Sequence, residues 1–224
     1  MLTLRDAGRR VGDRWLWRHL SFTLEPGESL GIEGPSGSGK TLLLRALVGL
    51  DRLDEGEAAL DERPLEDWDL TRYRCRVLLV PQDPALEEGT VEENLRLPFT
   101  FRVRRDGHRA AKSDDFDRDR ARSLLERLGA DDLLDRPVRD LSAGERQRVG
   151  FVRAMLLEPR ILLLDEPSAH VDPGRAEAME RMVGEWKDGG GEGEDRRAAV
   201  WISHDAGQLR RVTDRRISLA EAGP

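Results

Sequence analysis

SLGIEGPSGSGKTLLLRALVGL, residues 29–50, decides the fold. Ser29 to Glu33 has the length and apolar content of a buried strand, and Leu42 to Leu50 carries helical apolar spacing. Between them Gly34, Gly37 and Gly39 let backbone N–H groups approach phosphate oxygens at a helix N-terminus, whose partial positive charge suits an anion. The Gly-x4-Gly-Lys-Thr spacing brings Lys40 to β and γ phosphates and the Thr41 hydroxyl to Mg²⁺, while Pro35, Ser36 and Ser38 complete the loop. Of 37 Lys plus Arg, only Lys40, Lys112 and Lys187 are lysines. A chain that writes its positive charge as arginine has kept a compact ammonium where a phosphate cradle needs one. Taken alone, the loop also reads as a glycine turn that caps a helix.

A chain of 224 residues is long enough to bury a substantial core without metals or crosslinks. Cys75 stands alone, in what reads as a strand-like stretch from Tyr73 to Val80, so disulfide frameworks and cysteine metal sites are excluded and a reducing compartment fits. Acidic residues outnumber basic ones, 44 to 37, for a net charge of −7, which offers nucleic acid no general attraction. The opening MLTLRDAGRR lacks the apolar core of a signal peptide, and no apolar run approaches the ~20 residues that cross a bilayer. A soluble, intracellular chain is expected, and any path across a membrane must come from another polypeptide. After the last predicted strand, Arg216 to Leu219, too little remains for a regulatory domain.

LTLRD, RWLWRHL and SFTLE, between Leu2 and Glu25, read as short antiparallel strands ended by Pro26-Gly27. Beyond them, strand cores at Glu57–Leu60, Val77–Val80, Ile161–Leu164 and Ala198–Ser203 alternate with helical patterns after Thr41, Gly144, Pro173 and Asp205. That alternation is the mark of an α/β sheet with its chemistry at strand ends. Residues 83–140 break the rhythm with helical periodicity alone, over Val91–Leu97 and Phe116–Leu128, and read as an inserted helical subdomain. Within it RVRRDGHRAAKSDDFDRDR is a mixed-charge, solvated stretch rather than a nucleic-acid surface, since four aspartates follow its basic start. KDGGGEGEDRR, from Lys187, reads as a surface loop.

Further chemistry-bearing pieces follow the loop in order. Ile161 to Leu164 ends in Asp165-Glu166, so two carboxylates emerge where a buried strand meets the sheet edge. Asp165 suits Mg²⁺, and Glu166 suits a general base, or an orienting group, for an attacking water. Ser142 and Glu145 have capping-box spacing before the stripe Val149, Val152 and Leu156, and the capped tip Ser142-Ala143-Gly144-Glu145 has N–H groups suited to a γ-phosphate. Gln82, after the strand ending at Val80, can sense the metal or the water. His204 ends another strand and suits a γ-phosphate contact, and Asp172, in SAHVD, suits the contact between two nucleotide sites.

These motifs in this order resemble the ATP-binding subunits of ABC transporters over essentially the whole chain. Walker A falls on Gly34–Thr41, the Q-loop on Gln82, the signature on Leu141–Glu145, Walker B on Ile161–Glu166, the D-loop on Ser168–Asp172 and the switch histidine on His204. The resemblance implies a P-loop NTPase: a RecA-like parallel-sheet core with an N-terminal antiparallel β-subdomain, residues 1–82 and 141–224, and the helical subdomain 83–140. It implies ATP and Mg²⁺ as cofactors, with Thr41, Gln82 and Asp165 at the metal and Glu166, His204 and Gln82 in catalysis. It further implies two such chains, identical or different, sandwiching two ATP molecules head to tail and driving a transmembrane permease on a separate chain, from the cytoplasmic face of the membrane. NLRLPFTFRVR and the compact C-terminus look most like subunits of metal or iron export.

The sequence departs from the family pattern at three positions. Val11 stands where many relatives place an aromatic on adenine, so Trp15 or Trp17 substitutes or the stacking, ~1–3 kcal/mol, is forgone. Ala143 replaces a frequent glycine, so positive φ is not expected there. Glu145 replaces a frequent glutamine and adds negative charge beside a phosphate site. Other classes remain open: a soluble ABC ATPase of cofactor assembly, a lipoprotein-export or cell-division subunit, and a P-loop kinase or switch protein in which LSAGE is only a cap.

Overall fold

A computed structural model describes residues 1–101 and 116–219. Of the mixed-charge run 102–120, residues 102–115 lie outside the described residues. The chain falls into two compact units: 1–79 with 160–166 and 187 onward, and 80–159 with 167–186. The second is wider than the expected insertion 83–140, because the helix after Ser142 packs with the helices of the insertion.

In the first unit β1 (Leu2–Val11) and β2 (Arg14–Leu24) form a hairpin through Gly12-Asp13, with Leu2 opposite Leu24. RWLWRHL and SFTLE are therefore one strand, not two. Its irregularity falls at His19, whose φ of 55° bends the strand while the ring meets Asp6 at 2.8 Å. β4 (Glu55–Leu60) and β5 (Arg63–Pro64) complete an antiparallel sheet of order β2-β1-β4-β5. β3 (Ser29–Glu33), β6 (Val77–Val80), β7 (Ile161–Asp165), β8 (Ala198–Ile202) and β9 (Arg215–Ser218) form the second sheet, in the order β6-β7-β8-β3-β9. β3, β7, β8 and β9 run parallel, with Leu30 beside Val200 and Leu163 beside that same residue on the other side. Every residue of β7 and β8 is buried, as a central parallel strand covered on both faces requires. Leu43, Leu44 and Leu47 of α1 (Lys40–Leu47) join Leu2, Leu4, Trp17, Ile32 and Ile202 in one apolar cluster.

Tyr73 and Cys75 lie on a helix, α2 (Leu70–Arg76), not on the strand expected from Tyr73 onward, and Cys75 is half-buried. Asp69 caps α2 by accepting from the Arg72 N–H, and the buried Tyr73 hydroxyl donates to the Leu47 carbonyl at 2.7 Å. Burial pushes that hydroxyl's pKa up, so it stays a donor.

The second unit begins with α3 (Val91–Arg96), capped by a Thr90–Glu93 capping box, and α4 (Arg118–Glu126), capped by Asp117. Both pack on α5 (Ala143–Leu156), and α6 (Pro173–Asp188) contributes its residues up to Trp186. α3 and α4 are shorter than the expected Val91–Leu97 and Phe116–Leu128 because the chain turns into a 3₁₀ segment at Leu97 and leaves the helix after Glu126. Among the described residues no helix is long and apolar enough to cross a membrane.

Candidate active site

In the first unit the end of β3 turns through the glycine loop into α1. Gly39, the N-cap, has φ 90°, and a side chain there would meet Leu16 and the Trp17 indole nitrogen at 2.9 Å. Both constraints demand glycine. Lys40 is buried at 6% exposure, and its ammonium donates to the carbonyls of Gly34 and Pro35 at 2.8 and 3.1 Å. Ser38 Oγ is buried with no hydrogen-bond partner among the described residues, a polar atom of the loop ready for a phosphate oxygen.

Asp165 ends β7 at 3% exposure, with the Thr41 hydroxyl near enough to favour its charged form. Burial raises its carboxyl's pKa, and Glu166 adds to that, while Thr41, Lys40 and His204 oppose them. A hydroxyl and a carboxylate this near form the hard oxygen pair that Mg²⁺ favours, and a cation there would relieve the cost of the buried charge. Glu166 has φ 48°, a left-handed conformation costing a non-glycine residue about 1–2 kcal/mol. Its N–H donates to the Ile202 carbonyl at 3.0 Å, and its Oε1 meets His204 Nε2 at 2.8 Å. The sheet thus presents Lys40, Thr41, Asp165, Glu166 and His204 from one unit. The bend at Glu166 left no trace in the sequence, since nothing in Asp-Glu-Pro asks for positive φ.

In the second unit, Ser142 and Glu145 form the expected capping box: Ser142 Oγ accepts from the Glu145 N–H at 3.3 Å, and Glu145 Oε2 accepts from the Ser142 N–H at 2.8 Å. The Ser142 hydroxyl donates to the same carboxylate oxygen at 2.7 Å, so it turns back onto its own helix. Ala143 opens the helix without positive φ. Gly144 touches the next loop, for a Cβ there would stand 2.5 Å from the His170 carbonyl oxygen.

Gln147 is the residue that sequence reasoning passed over. It is 1% exposed, its Nε2 donates to the Gln82 carbonyl at 3.3 Å, and its Oε1 accepts from the His170 N–H at 3.0 Å. One amide thereby ties the Gln82 loop and the Ser168–Asp172 loop to α5. Its only sequence signal was a polar residue two places before the first apolar position of the helical stripe. The side chain of Gln82 is exposed, and Asp172 caps α6 by accepting from Arg175.

The sequence matches the ABC transporter family over residues 17–169, more than half of the chain. This chain belongs to the ABC transporter family. A probable anion import ATP-binding protein of Haloferax volcanii is 37% identical, over 96% of this chain and 75% of its own. A lipoprotein-releasing system ATP-binding protein of Rhodospirillum rubrum is 34% identical over 88% of this chain and 83% of its own. Across such curated relatives this ABC chain spans from about half to about four fifths of their length. A dimeric ATP-binding cassette in a post-hydrolysis state, bound to ADP and phosphate, superposes with a TM-score of 0.81 at 28% identity, over 97% of this chain and 94% of that one. The fold is that of an ABC ATPase, and the chain binds and hydrolyses ATP.

The adenine-side expectation is narrowed by the structure of this ABC domain. Trp17 is fully buried and offers no face to a base. Trp15 is half-buried, with Arg18 4.7 Å from its ring centre and that arginine forked onto Glu55 at 2.7 Å. Val11 is 57% exposed and aliphatic.

Proposed function

We propose that two copies of this chain, or this chain and a related one, enclose ATP between the Gly34–Thr41 loop of one and the Ser142–Glu145 tip of the other, and that the dimer drives a membrane-spanning permease on a separate chain. The observation that carries this reading is the Glu166–His204 contact at 2.8 Å beside the buried Asp165 carboxylate and the Thr41 hydroxyl. A carboxylate held by a histidine at a strand end, next to an oxygen pair fit for Mg²⁺, is what in-line attack of water on a γ-phosphate needs.

In the proposed reaction the loop N–H groups and Lys40 hold the β and γ phosphates, and the oxygens of Thr41 and Asp165 would hold the metal. Bound there, Mg²⁺ would neutralise charge on the phosphate oxygens. Glu166 accepts the water's proton through the oxygen that now meets His204, and His204 turns its ring to the γ-phosphate. The tips of the second copy bring Ser142 and the N–H groups of Ala143, Gly144 and Glu145 to that phosphate. The superposed dimeric cassette supports pairing, and the match to the transporter family supports a separate membrane path, driven from its cytoplasmic side. The acidic balance argues against a nucleic-acid partner.

For cargo, the likeness of NLRLPFTFRVR, residues 94–104, to subunits of metal or iron export supports that reading. The Haloferax relative's name favours a second reading, inward movement of an anion. Vesicles carrying the chain with its neighbouring permease, loaded with Fe²⁺ or with an oxyanion, separate the two by the direction of ATP-dependent flux. The enzymatic core is tested by Glu166→Gln, which should keep ATP binding, lose turnover and elute as an ATP-dependent dimer on a sizing column. A Glu166→Gln protein that turns over ATP at the wild-type rate would falsify the assignment of the base.

A further inference from the structure

The tip of α5 carries an anion of its own where the proposed reading brings a phosphate. Glu145 Oε2 accepts from both the N–H and the hydroxyl of Ser142, at 2.8 and 2.7 Å. These bonds, the Ser142 hydroxyl first, hold the Glu145 carboxyl below its usual range, so the charge is present at neutral pH. A helix N-terminus is worth roughly +0.5 of an elementary charge, and one ionised carboxylate reverses that sign. The other oxygen, Oε1, faces Arg136 Nη1 at 3.0 Å, and among the described residues Arg136 is the ion-pair partner of Glu145. Arg136 Nη2 donates to the Asp140 carbonyl at 3.2 Å, which fixes the guanidinium at the base of the loop leading to Ser142. With the arginine counted, the tip is positive again.

We propose that Arg136 is a positioning residue for ATP-driven pairing: by holding and neutralising Glu145 it sets the sign of charge at the α5 tip and so its affinity for the γ-phosphate presented by the other copy. The inference rests on the sandwich reading above. It concerns a residue outside every motif of the family, and it accounts for how this chain carries a carboxylate at position 145 beside a phosphate site. A glutamine at 145 would need no such partner, because an amide brings no net charge.

The test is the dimer dissociation constant with magnesium-ATP, measured by analytical ultracentrifugation in the Glu166→Gln background. Arg136→Ala should weaken pairing on the order of tenfold, the effect of one charge about 10 Å from a phosphate at an effective dielectric constant of about 20. Arg136→Lys, which keeps the charge, should stay within about threefold. A chain that carries Glu145→Gln together with Arg136→Ala has the same net charge at the tip as the parent and should pair within about threefold of it. A purely structural role through the Asp140 carbonyl predicts that the tenfold loss persists in this double variant, and that result overturns the proposal. So does unimpaired pairing of Arg136→Ala with Glu145 in place. Should the alanine variant fold poorly, Arg136→Gln keeps an N–H donor for Asp140 without the charge and must show the same tenfold loss. ATP affinity of the monomer, set by the Lys40 loop, should not change in any of these. If Glu166→Gln alone stays monomeric with magnesium-ATP, the sandwich reading falls, and the role of Arg136 falls with it.

Discussion

Gly144→Ala adds one methyl at the tip of α5, and its consequences can be worked out from the surrounding backbone. Gly144 is not among the residues with positive φ, so alanine meets no conformational penalty, and intrinsic helix preference favours it by up to about 1 kcal/mol. Against that, its Cβ would lie 2.5 Å from the His170 carbonyl oxygen. Carbon and oxygen settle no closer than about 3.3 Å even in a weak C–H···O contact, so the loop must retreat by close to 1 Å. The obstacle is backbone, and that backbone is held from the other side by Gln147, which accepts from the His170 N–H at 3.0 Å. Overpacking of this kind costs about 1–3 kcal/mol. Set against the full helix gain, a net loss of about 0–2 kcal/mol remains, which in a chain of this size lowers the melting temperature by up to about 8 °C. Turnover should suffer more than stability, because a displacement of about 1 Å in a positioning element can cost a hundredfold. Differential scanning calorimetry and steady-state phosphate release measure both, with ATP binding to the monomer as the control that stays unchanged. A variant with wild-type melting temperature and wild-type turnover would refute the argument that α5 and the Ser168–Asp172 loop are in contact through this glycine.

Two further substitutions test other parts of the second unit. Gln147→Met keeps the volume but removes the partner of the Gln82 carbonyl and of the His170 N–H, each such bond worth about 0.5–1.5 kcal/mol net. Hydrogen exchange at the His170 amide should speed up at least tenfold, and unaltered exchange would show that the bond carries nothing. Glu92, paired with Arg118 at 2.6 Å and Arg96 at 2.9 Å, has a carboxyl held below its usual range, by the Arg118 bond first. Because the folded pKa is depressed, its stabilisation is complete above the unfolded value of about 4.3 and is lost as pH falls through the folded one. Glu92→Gln should therefore lower the melting temperature at pH 7 and lose less than wild type between pH 5 and pH 3. Parallel acid limbs in the two proteins would contradict this.

The parts of the site that sequence makes visible are those whose chemistry is written in adjacent residues. The loop from Gly34 to Thr41 and the capping box at Ser142 each depend on spacings of three to six residues: the structure has the capping box, and the loop turns β3 into a helix that begins at Lys40 and ends at Leu47, earlier at both ends than the Leu42–Leu50 spacing indicates. What stayed hidden depends on partners far along the chain. Trp15 and Trp17 share parity on β2, so alternation alone could not tell the half-buried ring from the fully buried one. Tyr73 to Val80 looks like one β-rich stretch, yet Asp69 starts a helical turn and Tyr73 finds its partner at Leu47, which moves Cys75 off the sheet. Gln147 looked like one more polar residue on a helix until the two loops that use its amide came into place. The φ of Glu166 follows from the Ile202 carbonyl on the neighbouring strand, which no local pattern announces.

The flat geometry of a carboxamide gives the Gln147 arrangement a mechanical meaning. Its oxygen and nitrogen sit at fixed separation in a single rigid plane, one grasping the turn before α6 and the other the turn after β6. Neither turn can swing away alone without wrenching the plane off its other hold. A displacement of the turn at Gln82 would therefore strain the same side chain that holds the turn before α6.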